Sequence, residues 1–358
     1  MFLKKSWLVQ ACVILVLMAA GCTGSQPSAN ADASPSSADV APAPVCPHLK
    51  PLWAANVSHP NDGVPDPAGR IVFGPVDRFD TILGQQISPL FAMDADGSDL
   101  VQIYDCELER PRISPDGSRI AFSILMDDES WQVATIAADG SDLHILTSTT
   151  GYAETPDWSP DGSWLIYATS PMKCSRDPLC DSLHETLWRM NADGSDQRQI
   201  GNPAASVWDW EPRLSPDGRE VVFVRERGEP AHDDRFVLMI RNLETGQERV
   251  ATVDTRDLEH PDWSRDGRFI IYHKEPGGPI ERIPADDPTA TPEILAGDAS
   301  SGFYKPAYSP DAKNIVFGCD GSVCRIAADG SKMVVLVEAP PGVEFNHFAW
   351  GVAPPVDP

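Results

Sequence analysis

Apolar residues in this chain fall into short runs that end on an aromatic residue. Ile120-Ala121-Phe122, Leu165-Ile166-Tyr167, Val221-Val222-Phe223, Ile270-Ile271-Tyr272 and Ile315-Val316-Phe317 are five of them. Runs this short, rich in β-branched residues and bounded by turn signals, read as buried strands. Helical layers are excluded, because no 12-residue window keeps a 3.6-residue period free of Gly and Pro.

Each run follows a repeated phrase. The copies are Ile113-Ser114-Pro115-Asp116-Gly117, Trp158-Ser159-Pro160-Asp161-Gly162, Leu214-Ser215-Pro216-Asp217-Gly218, Trp263-Ser264-Arg265-Asp266-Gly267 and Tyr308-Ser309-Pro310-Asp311-Ala312. Their serines are 45, 56, 49 and 45 residues apart. Pro pre-sets φ, Asp bonds its own backbone and Gly supplies φ > 0, so the phrase is a tight turn between two strands. A second phrase falls between copies, as in Ala137-Ala138-Asp139-Gly140-Ser141 and Asn191-Ala192-Asp193-Gly194-Ser195, and marks a later hairpin. Four short strands every ~45 residues make a propeller blade.

The expected fold is all-β, a six-bladed β-propeller. Five blades carry the full phrase. The sixth combines the chain ends: Ile71-Val72-Phe73 matches the apolar run, and His347-Phe348-Ala349-Trp350-Gly351 supplies the missing inner strand. The ring is thus closed by the C-terminal strand. A seventh blade would have to lie in residues 46–68, which lack the pattern.

The first residues stand apart from this pattern. Lys4 and Lys5 precede an apolar stretch, Trp7 to Ala20, too short for a membrane span. Leu17-Met18-Ala19-Ala20-Gly21-Cys22 resembles a bacterial lipoprotein cleavage box, with Cys22 as the lipidated residue. The alternative is an ordinary secretory signal with an incidental Cys. The expected organisation is a lipoprotein signal peptide over 1–21, a disordered Ser/Ala/Pro tether over 22–44 and the propeller over 45–358. Thr23 after the Cys resembles the outer-membrane sorting pattern, so the expected location is the cell envelope, lipid-anchored in the outer membrane and facing the periplasm.

Composition narrows the partners. The formal net charge is −25, which excludes nucleic acid and anionic lipid as electrostatic partners. Apart from Cys12 in the expected signal and Cys22, six cysteines remain, which suit an oxidising compartment and read as disulfides. Cys174 and Cys180 close one short loop, Cys319 and Cys324 flank an Asp-Gly turn, and Cys46 is left to pair with Cys106. A metal site is the rival reading, but these spacings do not suit zinc.

The repeated Trp-Ser-Pro-Asp-Gly, apolar run and Ala-Asp-Gly-Ser together resemble the TolB-type (WD40-like) β-propeller repeat over about residues 65–351. The resemblance is to the propeller half of TolB only, and no counterpart of the α/β domain that precedes that propeller is expected in residues 1–358. Related propellers precede prolyl-oligopeptidase-like catalytic domains, but the chain has no Gly-x-Ser-x-Gly.

Candidate chemistry is positional. Four and five residues before each anchor, Ser in five copies and Gly351 in the sixth, the inner strands should approach one mouth of the central channel. Those positions hold Glu109, Glu154, Glu211, Glu259, His260 and His347, with Arg110 and Lys305 among them. Two readings stay open: solvated edge charges neutralised by Arg110 and Lys305, or a ligand or divalent-cation site. No catalytic residue and no cofactor is implied beyond that possible cation. The expected function is an envelope lipoprotein whose propeller is a binding platform for envelope proteins or polymers, anchored to the membrane by its lipid. The alternative is a propeller enzyme, a metal-assisted lyase or hydrolase working at the channel mouth.

Overall fold

The structure is a computed structural model. It describes residues 56–57, 69–76, 78–80, 85–87, 89–170, 185–201, 208–226, 236–252, 258–274, 277–298, 300–340 and 343–354. The expected signal, tether, Cys22, Cys46, Cys174 and Cys180 lie outside those residues. Contacts separate Met1–Ala33 from Ser34–Pro358, and only the second unit is described here.

All regular structure among the described residues is β. The chain begins with β1 (Asn56–Val57), β2 (Arg70–Val76), β3 (Arg78–Asp80), β4 (Gln85–Ile87), β5 (Leu90–Asp94) and β6 (Val101–Tyr104). Next come β7 (Leu108–Ile113), β8 (Arg119–Leu125), β9 (Trp131–Ala137) and β10 (His144–Ile145). They are followed by β11 (Tyr152–Trp158), β12 (Trp164–Ser170), β13 (Thr186–Asn191) and β14 (Arg198–Gln199). Then come β15 (Trp208–Leu214), β16 (Glu220–Glu226), β17 (Phe236–Asn242) and β18 (Glu248–Val250). The series continues with β19 (Leu258–Trp263), β20 (Phe269–Lys274), β21 (Ile280–Pro284) and β22 (Glu293–Ala296). It ends with β23 (Phe303–Tyr308), β24 (Asn314–Cys319), β25 (Ser322–Ala327), β26 (Val334–Glu338) and β27 (Glu344–Gly351).

These strands form an antiparallel propeller. Its separate blades are β15 to β18, β19 to β22, the closing blade β27-β2-β5-β6, and β23 to β26 with β1 added at the outer edge. A short hairpin, β3-β4, stands beside them. The hydrogen bonding departs here from six separate blades. Strands β7 to β14 form one eight-stranded sheet, because β9 and β11 meet in a single parallel pairing at Trp131 and Tyr152. The Trp131 amide donates to the Gly151 carbonyl at 3.3 Å across this joint. The pairing β2 with β27 joins Arg70 to Gly351 and so ties the two chain ends into one blade.

Burial explains why the second strand of each unit is a continuous apolar run. Blades stack face to face, so that strand is covered on both sides. Val222, Val224, Leu238 and Ile240 meet Ile270, Tyr272 and Ile283 of the next blade in one core. Ile71, Phe73 and Met93 meet Val316, Val323 and Leu336 in another, with Phe345, Phe348 and Trp350 of β27.

The repeated phrase is turn chemistry throughout. Ser114 Oγ donates to Asp116 Oδ1 at 2.6 Å, and the Gly117 amide donates to the Ser114 carbonyl at 2.9 Å with φ at 75°. The other copies repeat the Ser-to-Asp bond at 2.6–2.7 Å. Trp158 and Trp263 each donate their indole N–H to a carbonyl of another inner strand, Arg112 O and Arg213 O, both at 3.1 Å. The anchor Trp therefore sews neighbouring inner strands together.

A disulfide joins Cys319 to Cys324 across the β24–β25 turn, with Cα atoms 5.9 Å apart. Cys106 is also disulfide-bonded, and the expected partner, Cys46, lies outside the described residues. Replacing Cys319 and Cys324 by Ala should lower stability by about 2 kcal/mol in the loop-entropy account. Urea unfolding of the double variant checks this, and an unchanged midpoint would show that the bond constrains nothing.

Candidate functional site

Each inner strand carries one irregularity at the same place. The register slips between Glu109 and Arg112, Glu154 and Asp157, Trp210 and Arg213, Glu259 and Asp262, and Tyr304 and Ala307, and opposite β27 between Val72 and Gly74. At each slip one residue is left-handed: Arg110 (φ 57°), Thr155 (54°), Glu211 (52°), His260 (54°), Lys305 (52°) and His347 (57°). The sequence supplies the cause in five of the six. Pro111, Pro156, Pro212, Pro261 and Pro306 follow and cannot donate to the ladder. A residue before Pro is also pushed out of the right-handed helical region. A left-handed non-Gly residue is costly, and its recurrence around the ring marks a built feature.

The six residues expected at the mouth are brought together there. Glu211 is fully buried, and its Oε2 accepts the His260 backbone N–H at 2.7 Å. Its Oε1 lies 2.9 Å from His260 Nε2 and pairs with the Arg110 guanidinium, which also contacts His260 Nε2. Glu259 Oε2 stands 3.7 Å from His260 Nδ1. Glu109 Oε2 lies 3.9 Å from Arg110 Nε and 4.0 Å from His347 Nε2. Lys305 Nζ is 3.4 Å from His347 Nδ1. Glu154 joins by charge, within electrostatic reach of Glu109 and Arg110.

The electrostatics follow from burial. Burial first, then the Arg110 and Lys305 charges, holds His260 well below the usual imidazole range, so it is neutral at pH 7. The same causes, Lys305 ahead of Arg110, hold His347 down. Burial, then the charges of Glu185 and Glu109, pushes the Glu154 carboxyl up. Burial likewise pushes up Glu185, a residue that no repeat position announces. His273 is a second such addition: its ring lies 4.9 Å from that of His260, and it faces Glu259 across the β19–β20 ladder.

One trio has the donor set of a cation site. Ligand atoms of Glu211, Glu259 and His260 all lie within 4.8 Å of one another. Nδ1 of His260 is buried without a hydrogen bond, and a neutral imidazole is a metal ligand. Against this, the Glu211 oxygens are already engaged by Arg110 and the His260 amide, so a cation would have to displace Arg110.

At the opposite mouth, the inner strands and turn phrases enclose a cavity of about 290 Å³ lined by Arg112, Asp157, Asp262 and Arg265, among others. Sequence reasoning missed this end. Its signal was the residue after each inner-strand Pro, which reads Arg112, Asp157, Arg213, Asp262 in successive strands.

A ring of antiparallel blades with polar side chains turned into its axis is the architecture of a β-propeller. The family model of the TolB beta propeller domain matches residues 108–287, and the chain belongs to that family. An uncharacterized protein of Agrobacterium fabrum is 29% identical over 167 residues, covering 44% of this chain and 52% of that protein. The Tol-Pal system protein TolB of Francisella tularensis is 26% identical over 180 residues, covering 50% of this chain and 38% of its own length. The chain thus spans about half or less of these relatives. Among solved structures, TolB from Acinetobacter baumannii superposes with a TM-score of 0.64 at 18% identity, covering 81% of this chain and 68% of that one. Hydrazine synthase of Kuenenia stuttgartiensis does so at 0.63 and 17%, covering 82% and 48%. At such identities the likeness is one of fold.

Proposed function

We propose that the protein is a cell-envelope lipoprotein whose propeller binds an envelope protein or polymer at the acid–histidine mouth of its channel. The ring has six blades in this reading, the eight-stranded sheet counting as two bridged at Trp131 and Tyr152. The observation that carries the proposal is the set of six left-handed positions, which delivers Arg110, Thr155, Glu211, His260, Lys305 and His347 to one place. A purely structural bulge has no need of ionisable side chains at five of its six copies. Relatives that include a Tol-Pal system protein support an envelope setting. The lipid anchor at Cys22 and the outer membrane belong to the same proposal.

The test is a pull-down from crosslinked envelopes with wild type and with a Glu109→Ala, Glu259→Ala variant, whose altered side chains are partly exposed. Wild type should retain a discrete partner that the variant loses, while both show the same circular dichroism and melting. Equal recovery by the two would move the partner surface away from this mouth. A second reading, a divalent-cation site at Glu211, Glu259 and His260, rests on their ligand-atom clustering. Elemental analysis of the same two samples addresses it: metal in wild type and not in the variant supports it, and metal in neither removes it.

A further inference from the structure

The cavity at the opposite mouth is built from charges of both signs. Arg112 spends Nη1 on the Pro111 and Phe348 carbonyls at 2.9 and 3.0 Å, and its Nε, 4.0 Å from Asp157 Oδ1, has no hydrogen bond. Asp157 and Asp262 each fix one oxygen on a backbone amide of another inner strand, Leu214 N at 2.8 Å and Tyr308 N at 2.7 Å. The carboxylates are therefore held rigidly in the cavity wall.

Arg265 breaks the repeat. It stands where the other four copies of the turn phrase have Pro115, Pro160, Pro216 and Pro310, and three of those prolines line the same cavity. Pro is the better residue for this turn position, because it pre-sets φ. Arg265 is exposed, and it forms no hydrogen bond and no ion pair within 4.0 Å among the described residues. Yet it lies within electrostatic reach of Asp157, Asp262 and Arg112. A turn that gives up its proline for an unengaged guanidinium at the rim of a charged cavity has the form of a ligand clamp.

The charges are under-compensated by the protein itself. Burial pushes Asp157 up to about 6 and raises Asp262, and burial lowers Arg112, each against the pull of its opposite neighbours. A simple anion would meet Asp157 and Asp262, and a simple cation would meet Arg112 and Arg265. Only a ligand carrying both charges satisfies all four. The volume, about 290 Å³, sits at the small end of ligand pockets.

We propose that this mouth binds a small zwitterion, a free α-amino acid or a dipeptide, with its carboxylate on Arg112 and Arg265 and its ammonium on Asp157 and Asp262. The proposal is independent of any partner at the acid–histidine mouth. Saturation-transfer NMR of the purified protein with mixtures of the common L-amino acids and their dipeptides identifies binders. Calorimetry then compares each binder with its amide, which lacks the carboxylate, and with its N-acetyl form, which lacks the ammonium. Both caps should weaken binding about 10-fold or more. Arg265→Pro restores the residue of the other copies and should fold normally with a similar loss, as should Asp262→Asn, whose amide oxygen can still accept from Tyr308. No binder in the mixtures, equal affinity for capped and free forms, or wild-type affinity in Arg265→Pro would each overturn the proposal.

Discussion

Removing residues 345–358 is expected to abolish cooperative unfolding and to leave an aggregating chain. β27 is the inner strand of the closing blade, and without it β2 presents an open edge to the channel side. The deletion also removes Phe345, Phe348 and Trp350, all 3% exposed or less. Phe345 packs edge-on to Phe73 with centroids 5.2 Å apart, and Phe348 stacks on the same ring at 6.3 Å. Losing one such aromatic costs about 3–5 kcal/mol. Three together approach or exceed the whole stability of a typical domain, about 5–15 kcal/mol. Phe345→Ala alone should stay folded at a cost of about 3–5 kcal/mol. Circular dichroism melts with light scattering read both variants. A truncated chain that melts cooperatively near the wild-type temperature would show that the ring does not depend on this strand.

The second large effect is expected at Glu211. This carboxylate is fully buried, holds the His260 amide at 2.7 Å and neutralises Arg110, whose side chain is only 20% exposed. Glu211→Ala leaves a guanidinium and an amide without their acceptor in a site of low dielectric, at a cost of about 3–5 kcal/mol. Glu211→Gln keeps an acceptor for the amide and should cost less. Arg110→Met with Glu211→Leu removes both charges and should recover much of the loss, since an apolar pair avoids desolvation. Urea unfolding of the single and double variants gives the coupling directly. A cost below about 1 kcal/mol for Glu211→Ala would mean that solvent reaches the pair and screens it.

The parts of this molecule legible in the sequence are those set by local rules. The turn phrases, the apolar second strands and the Cys319–Cys324 hairpin each depend on a few neighbouring residues. The mouth residues were also legible, because they keep a fixed offset from the anchor, which is Ser in five copies and Gly351 in the sixth. Their partnerships were not. Which of Glu109, Glu211 or Glu259 takes Arg110 depends on the rotation between blades and on the left-handed bulge, neither of which the spacing encodes. The joint at Trp131 and Tyr152, and the addition of Asn56–Val57 to β26, arise from contacts between edges far from any repeat signal. Arg265 lay within its phrase, and Asp157 and Asp262 one residue before theirs, but their shared cavity exists only once the ring closes.

The left-handed residue of each inner strand has a consequence for how such a protein can change over generations. Backbone shape at these six places is dictated by the bulge and its neighbours, and the present occupants are a guanidinium, a hydroxyl, a carboxylate, two imidazoles and an ammonium. The same backbone conformation therefore carries side chains of very different polar chemistry from strand to strand. A substitution there changes the charges at the mouth, and where the occupant is tied to its neighbours, as Glu211 is to Arg110 and the His260 amide, the partners must change with it. Change at this mouth is therefore concerted, since Arg110, Glu211 and His260 hold one another and are exchanged as a set.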